Sequence, residues 1–228
     1  MSDDDVAALL ALPYSITSFS PGGWLVRQGD AGGHCHLILS GFVCRQKLLR
    51  DGARQIVSVH MKGDLVGLDG AFFKQADDGV QALGAVEAAA VPAAALLDLA
   101  FARPAVGRAL WAHTLADAAI HREWVANVGQ RDARSRIAHL LCELALLQEA
   151  AELSDGRRYE LPLTQEQIAD ATGLTGVHVN RVLRTFDIEG LVSRERKTIT
   201  ILDWPELSAA AGFSEDYLRF ATERQGTA

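Results

Sequence analysis

The sequence of 228 residues lacks any apolar run near the ~18 residues of a membrane span, so no transmembrane helix and no membrane partner are expected. It opens Met1-Ser2-Asp3-Asp4-Asp5, acidic where a secretory leader is basic, which makes a cytoplasmic protein the expectation. Cysteine is scarce. Cys35, Cys44 and Cys142 are an odd set without CxxC spacing, which argues against a disulfide framework. Internal repeats and low-complexity linkers are missing, and with 49% hydrophobic residues the chain is not of disordered composition. Positive charge is also short: 22 Lys+Arg face 29 Asp+Glu, a net charge of −7. Taken whole, that counts against nucleic acid as a partner, because phosphate binding needs a basic surface.

Glycine is present but uneven. Twelve of the 20 glycines fall between Gly22 and Gly84. Between them lie the short apolar runs Trp24-Leu25-Val26, Leu37-Ile38-Leu39, Ile56-Val57-Ser58-Val59 and Leu65-Val66. Short strands punctuated by glycine turns predict an antiparallel β-roll, barrel or sandwich. Asp51-Gly52, set between two such runs, predicts a hairpin.

The texture changes near Pro92. Ala93 to Leu99 reads as a short helix, and Pro104 suits the first turn of a second. That second helix runs to about Val128, with Gly129 as its stop. It carries two apolar stripes. Val106, Leu110, Ile120 and Trp124 form one, and Trp111, Leu115, Ala118 and Val125 form the other. Two stripes predict packing on the helix's own domain and on a partner helix. Another helix follows from about Asp132 to Ala150, with Ile137, Leu140, Leu141, Leu144 and Leu147 on one face.

The segment Leu163–Leu202 is the most informative. Thr164-Gln165-Glu166-Gln167 is a capping box opening a short helix to about Thr172. Gly173-Leu174 makes a tight turn, and Thr175 caps a second helix from Gly176 to about Ile188. Ala169, Gly173 and Val179 stand at helix-turn-helix spacing: a small residue at the crossing, a glycine in the turn, an apolar wedge in the angle. Leu191–Arg194 and Thr198–Leu202, joined through Glu195-Arg196-Lys197, form a hairpin wing. From Gly176 to Leu202 five basic residues face three acidic ones, so a small positive footprint sits on an acidic body. The net charge then predicts a modest salt slope and a dimer to double the contacts, rather than excluding DNA.

From Trp24 to Leu202 the chain resembles the Crp/Fnr family of bacterial transcription regulators. The marks are Gly29-Asp30, Leu39-Ser40-Gly41, Lys62-Gly63-Asp64-Leu65-Val66-Gly67, the long helix, Arg136–Leu141, Leu161–Glu166 and the wing. The resemblance implies an α+β chain in three parts: a cyclic-nucleotide-binding-like β-roll (a double-stranded β-helix) over 1–103, a dimerisation helix over 104–129 with Val106, Leu110, Ile120 and Trp124 in its seam, and a winged helix-turn-helix over 130–228. It also implies a homodimer on a palindromic operator in double-stranded DNA, and RNA polymerase as a further partner if the protein activates. In such winged helices the first residues of the second helix reach base edges. By count from the cap these are Val177, His178, Asn180, Arg181 and Arg184. Arg181 suits guanine, Asn180 adenine or a phosphate. Thr175, Arg194, Arg196 and Lys197 suit phosphates. Many members carry Glu where this chain has Val177, so the familiar half-sites do not transfer unchanged.

The roll departs from the nucleotide-binding pattern. Leu68 stands where the ribose-holding Glu belongs. No Arg or Lys occurs from Gln75 through Ala102, and Asp78 falls near the position of the phosphate-binding Arg. Cyclic AMP or GMP bound in the usual manner is not expected. Three cysteines also cannot supply the four thiolates of an iron–sulfur centre. His34-Cys35-His36 would alternate faces on a strand, so no metal and no cofactor are expected. A small-molecule, metal or redox sensor with an unidentified effector is the alternative reading. A cupin-like enzyme is weighed and set aside, because the Glu that should follow His36 is missing and no catalytic set stands out.

Overall fold

The computed structural model describes residues 1–218. The chain forms two compact units that meet within one helix, between Asp117 and Ala118.

The first unit opens with α1 (Asp3–Leu10). Ser2 Oγ accepts from the Asp5 amide, and the Asp5 carboxylate accepts from the Ser2 amide. The three aspartates thus serve the positive end of a helix. Eight strands follow: β1 (Ser15–Phe19), β2 (Trp24–Val26), β3 (His34–Ser40), β4 (Val43–Leu48), β5 (Arg54–His60), β6 (Leu65–Val66), β7 (Gly79–Ala82) and β8 (Val86–Pro92). They make two antiparallel sheets, ordered β1-β8-β3-β6 and β2-β7-β4-β5. Ile38, Val43, Val66, Val80, Ala82, Val86 and Ala88 form an apolar core cluster contributed by both sheets. Cys35 and Leu65 share a second cluster with Ala93 and Leu96 of α2 (Ala93–Ala102) and Leu110 of α3 (Pro104–Gln130). The β3–β4 turn depends on Gly41. Its φ is +83°, and a Cβ there would stand 2.2 Å from the Ala85 carbonyl oxygen.

The second unit holds the rest of α3, then α4 (Ala133–Ala150), β9 (Arg158–Glu160), α5 (Gln165–Thr172), α6 (Gly176–Ile188), β10 (Val192–Glu195), β11 (Thr198–Ile201) and α7 (Trp204–Ala211). Asp132 caps α4 through the Ser135 amide. This helix is buried along an unbroken stretch from Ile137 to Ala145, so it runs through the centre of the unit. The strand order is β10-β11-β9: the wing hairpin gains a third strand. Tyr159 on β9 donates its hydroxyl to the Leu141 carbonyl at 2.9 Å, tying the sheet to α4.

A buried polar network crosses this core. Glu143 accepts from Trp124 Nε1 at 2.6 Å and from the Tyr217 hydroxyl at 2.5 Å. Burial raises the Glu143 carboxyl to about 7. His139 stacks on Tyr217 and lies 3.4 Å from Glu123, which also pairs with Arg131 at 2.6 Å. Burial, aided by Arg131, lowers His139 to about 4.

The stripes on α3 take a different assignment from the sequence expectation. Val106 is buried, Leu110 packs into the first unit's second cluster, Trp124 is only 6% exposed on its bond to Glu143, and Ile120 is half-buried. Val106 and Trp124 are therefore spent inside their own chain. The open stripe is the other one: Trp111 is 73% and Val125 74% exposed, with Leu115 exposed between them. The helix also runs through Gly129 to Gln130, because one glycine costs only about 1 kcal/mol.

Candidate nucleic-acid interface

Helices α5 and α6 are set by local chemistry. Thr164 Oγ1 accepts from the Gln167 amide, and the Gln167 side chain accepts from the Thr164 amide, which makes the capping box. Gly173 ends α5 at φ +64°, a conformation that favours glycine. Its amide and that of Leu174 both donate to the Ala169 carbonyl. Thr175 then caps α6 through the His178 amide. Val179, Val182, Leu183 and Phe186 are buried, as are Ile168 and Ala169 beneath them. Arg136 Nη1 donates to the Thr172 carbonyl, fastening α4 to the end of α5.

The opposite side of α6 is open. Val177 is 79% exposed, and His178, Asn180, Arg181 and Arg184 are exposed with it. Arg181 and Arg184 have no ion-pair partner among the described residues. Thr175 Oγ1 lies 2.9 Å from His178 Nδ1, so this hydroxyl serves the cap and orients the imidazole. Asn180 Nδ2 donates to Gln165 Oε1 at 3.2 Å, a contact the sequence did not signal.

The wing turns through Arg196 and Lys197, both exposed, with Arg196 at φ +54°. Arg194 is half-buried against the sheet, and its Nε has no hydrogen-bond partner among the described residues. Sequence reasoning missed Arg158, exposed on β9 and 3.8 Å from Glu195. A strand of three residues leaves too little alternation to read. Arg134, also missed, pairs with Glu189 at 2.6 Å and lies over the Phe186 ring.

The roll carries a cleft of about 240 Å³ lined by Arg45, Leu65, Leu68, Asp69, Phe72, Phe73, His113, Thr114 and Asp117. Within this cleft Arg45 Nη1 pairs with Asp78 Oδ2 at 3.1 Å, while its Nε has no hydrogen-bond partner among the described residues. Burial raises the Asp78 carboxyl, partly offset by Arg45. Asp69 and Asp117 line the same cleft, which places carboxylates beside Arg45 where a phosphate would have to enter.

Ser58 Oγ lies 2.8 Å from His60 Nε2, and His60 Nδ1 is 3.7 Å from Asp64. The order imitates a hydrolytic triad. Yet Ser58 is 2% and His60 3% exposed, so no substrate reaches the hydroxyl, and the His–Asp distance is too long for a hydrogen bond. All three cysteines are buried. Burial, with the Asp69 charge, pushes the Cys35 thiol up to about 11, which suppresses the thiolate. His36 is buried and His34 exposed. No group of three or more His, Cys, Asp or Glu among the described residues is placed to hold a metal ion. No helix among them is long and apolar enough to cross a membrane.

An antiparallel roll joined by a long helix to a winged helix-turn-helix with an open, arginine-bearing second helix defines a class: regulators that bind DNA. Comparison with known proteins agrees. The Crp-like helix-turn-helix domain family matches residues 135–210, and the cyclic nucleotide-binding domain family matches residues 16–103. The transcriptional activator protein FnrL of Cereibacter sphaeroides is 27% identical over 217 residues, covering 93% of this chain and 86% of the relative. The nitrogen fixation regulation protein FixK of Rhizobium meliloti is 29% identical over 198 residues, covering 83% of this chain and 84% of the relative. The structure of FixK2 from Bradyrhizobium japonicum superposes with a TM-score of 0.81 at 23% identity, covering 89% of this chain and 100% of that one. The chain belongs to the Crp/Fnr family and is a DNA-binding transcription regulator.

Proposed function

We propose that the protein acts as a homodimer on a palindromic operator, with α6 of each protomer in a major groove. The observation that carries this reading is the division of α6. Its apolar side chains are buried, while Val177, His178, Asn180, Arg181 and Arg184 share the open face. Arg181 is the guanine reader, through a bidentate contact to O6 and N7. Val177 offers an apolar contact for a thymine methyl where a Glu would accept from cytosine. Arg184, Arg194, Arg196 and Lys197 hold phosphates, and Thr175 sets the start of the helix and the pose of His178.

The dimer seam is the exposed stripe of α3. Trp111, Leu115, Ala118, Arg122 and Val125 follow one another in alternating steps of four and three residues, the a/d spacing of a coiled coil. All but Ala118 are exposed, and Ala118 is half-exposed. The alternative reading, a roll that senses an unidentified effector, is supported by its cleft, and the pairing of the cleft's Arg45 with Asp78 favours an effector other than a cyclic nucleotide. Where the protein activates, RNA polymerase is its further partner; where it represses, occupying the promoter suffices.

Selection of bound sequences from a random DNA pool tests the reading, with and without cell extract. The expected product is an inverted repeat with guanine in each half-site. Recovery of no common motif overturns it. Trp111→Asp should give a monomer in sedimentation and lose operator binding; an undisturbed dimer would place the seam elsewhere.

A further inference from the structure

Gln165 is the first residue of α5 and lies outside the capping box, which uses Thr164 and Gln167. Its Oε1 nonetheless accepts from Asn180 Nδ2 on α6, 3.2 Å away and fifteen residues on. Both side chains are exposed, on the open side of the helix pair. In water such a contact contributes little, since water satisfies both amides equally well. Against DNA the water is displaced and the contact gains weight.

The chemistry of a carboxamide then matters. Asn180 has one acceptor oxygen and two Nδ2 hydrogens. Gln165 engages one hydrogen. The other hydrogen and Oδ1 remain as a donor–acceptor edge, the complement of adenine N7 and N6–H in the major groove. A free carboxamide turns easily, because its terminal torsion is broad and roughly two-fold. It can then offer either order of donor and acceptor and tolerates other bases. Held by Gln165, it offers one.

We propose that Gln165 is a positioning residue for sequence readout, committing Asn180 to adenine. This rests on the reading of α6 as the helix in the groove. Gln165 acts through Asn180, so its loss should weaken the adenine operator and spare operators with another base at that position.

The test uses the full-length protein and four operators that differ only at the base pair whose identity ceases to matter in Asn180→Ala. The unsubstituted protein should prefer adenine there by roughly ten-fold or more. Gln165→Ala should cut that preference to about two- to three-fold, leave the three other operators bound as before, and leave the melting temperature unchanged. Gln165→Glu keeps an acceptor for Nδ2. It should retain the preference for adenine while weakening all four operators alike through phosphate repulsion. In an Asn180→Ala background, Gln165→Ala should add nothing. An equal loss on all four operators in Gln165→Ala would make the residue a phosphate contact and overturn the proposal. Preference lost in Asn180→Ala but kept in Gln165→Ala overturns the positioning role alone. Preference untouched by Asn180→Ala overturns both this role and the assignment of α6 as the reading helix.

Discussion

Arg45 in the roll and Arg181 on α6 carry the same group into opposite surroundings. Arg45 is mostly buried and held by Asp78 at 3.1 Å, so its anion is built into the chain. Arg181 is exposed without an ion-pair partner among the described residues, one of five basic residues against three acidic ones in its segment. A guanidinium cannot shed its charge at ordinary pH. Where it lies inside, the fold must supply the counter-charge. Where it lies outside and unpaired, a partner molecule can. Arg181 is thus free to meet an external anion, while Arg45 already has one of its own.

Removing Arg181 gives the largest effect. Arg181→Ala should cost about 1–3 kcal/mol in each half-site and erase the preference for guanine. An operator preference unchanged in a salt-titrated binding assay would break the comparison at its open end. Asp78→Asn attacks the closed end. It leaves a buried guanidinium unpaired and should destabilise by about 2–4 kcal/mol. Inorganic phosphate should then raise the melting temperature of the variant and not that of the unsubstituted protein. A variant indifferent to phosphate would mean that Arg45 has no access to an outside anion.

The buried network of the second unit extends the comparison to pH. Glu143, at about 7, holds a proton in the fold that the unfolded chain has released, so its contribution to stability falls as pH rises from about 4.5 to 7. His139, at about 4, stays neutral in the fold while the unfolded chain takes up a proton below about 6.5. Its contribution therefore rises with pH from about 4 to 6.5. The two slopes oppose each other, so the joint contribution of this pair should change little between about pH 4.5 and 6.5. Denaturant unfolding of Glu143→Gln should show a stability that climbs with pH over that range. A flat profile in this variant would sever the network from stability. The smallest effect belongs to the wing tip. Lys197→Ala should weaken all DNA sequences alike and lower the salt slope by about one per protomer.

The helix-turn-helix was legible because its signals are local. A capping box, a glycine at positive φ and a second cap each act within four residues. The open face of α6 followed by count, since a buried Val179 fixes its neighbours. The two apolar stripes of α3 were legible, but not which of them stays open. Both stripes of α3 are apolar, and periodicity does not say which one the chain's own fold will claim. Trp124 turned inward because Glu143, nineteen residues on, gives its indole N–H a partner. The hydrogen bond from Asn180 to Gln165 and the pairing of Arg45 with Asp78 were invisible for the same reason: each joins residues brought together only by the fold. Strand β8 hid behind Ala88-Ala89-Ala90, because alanine has little strand preference of its own and is held there by pairing on both sides.

The wing tip also bears on evolution. Arg196 sits at φ +54°, a conformation that costs a residue with a side chain on the order of 1 kcal/mol and glycine almost nothing. A protein under pressure only to persist would drift toward glycine at this point. With Arg196 on a phosphate as proposed, durability and grip pull against each other here, and a library screened for heat resistance alone should shed the charge that a library screened for promoter occupancy keeps.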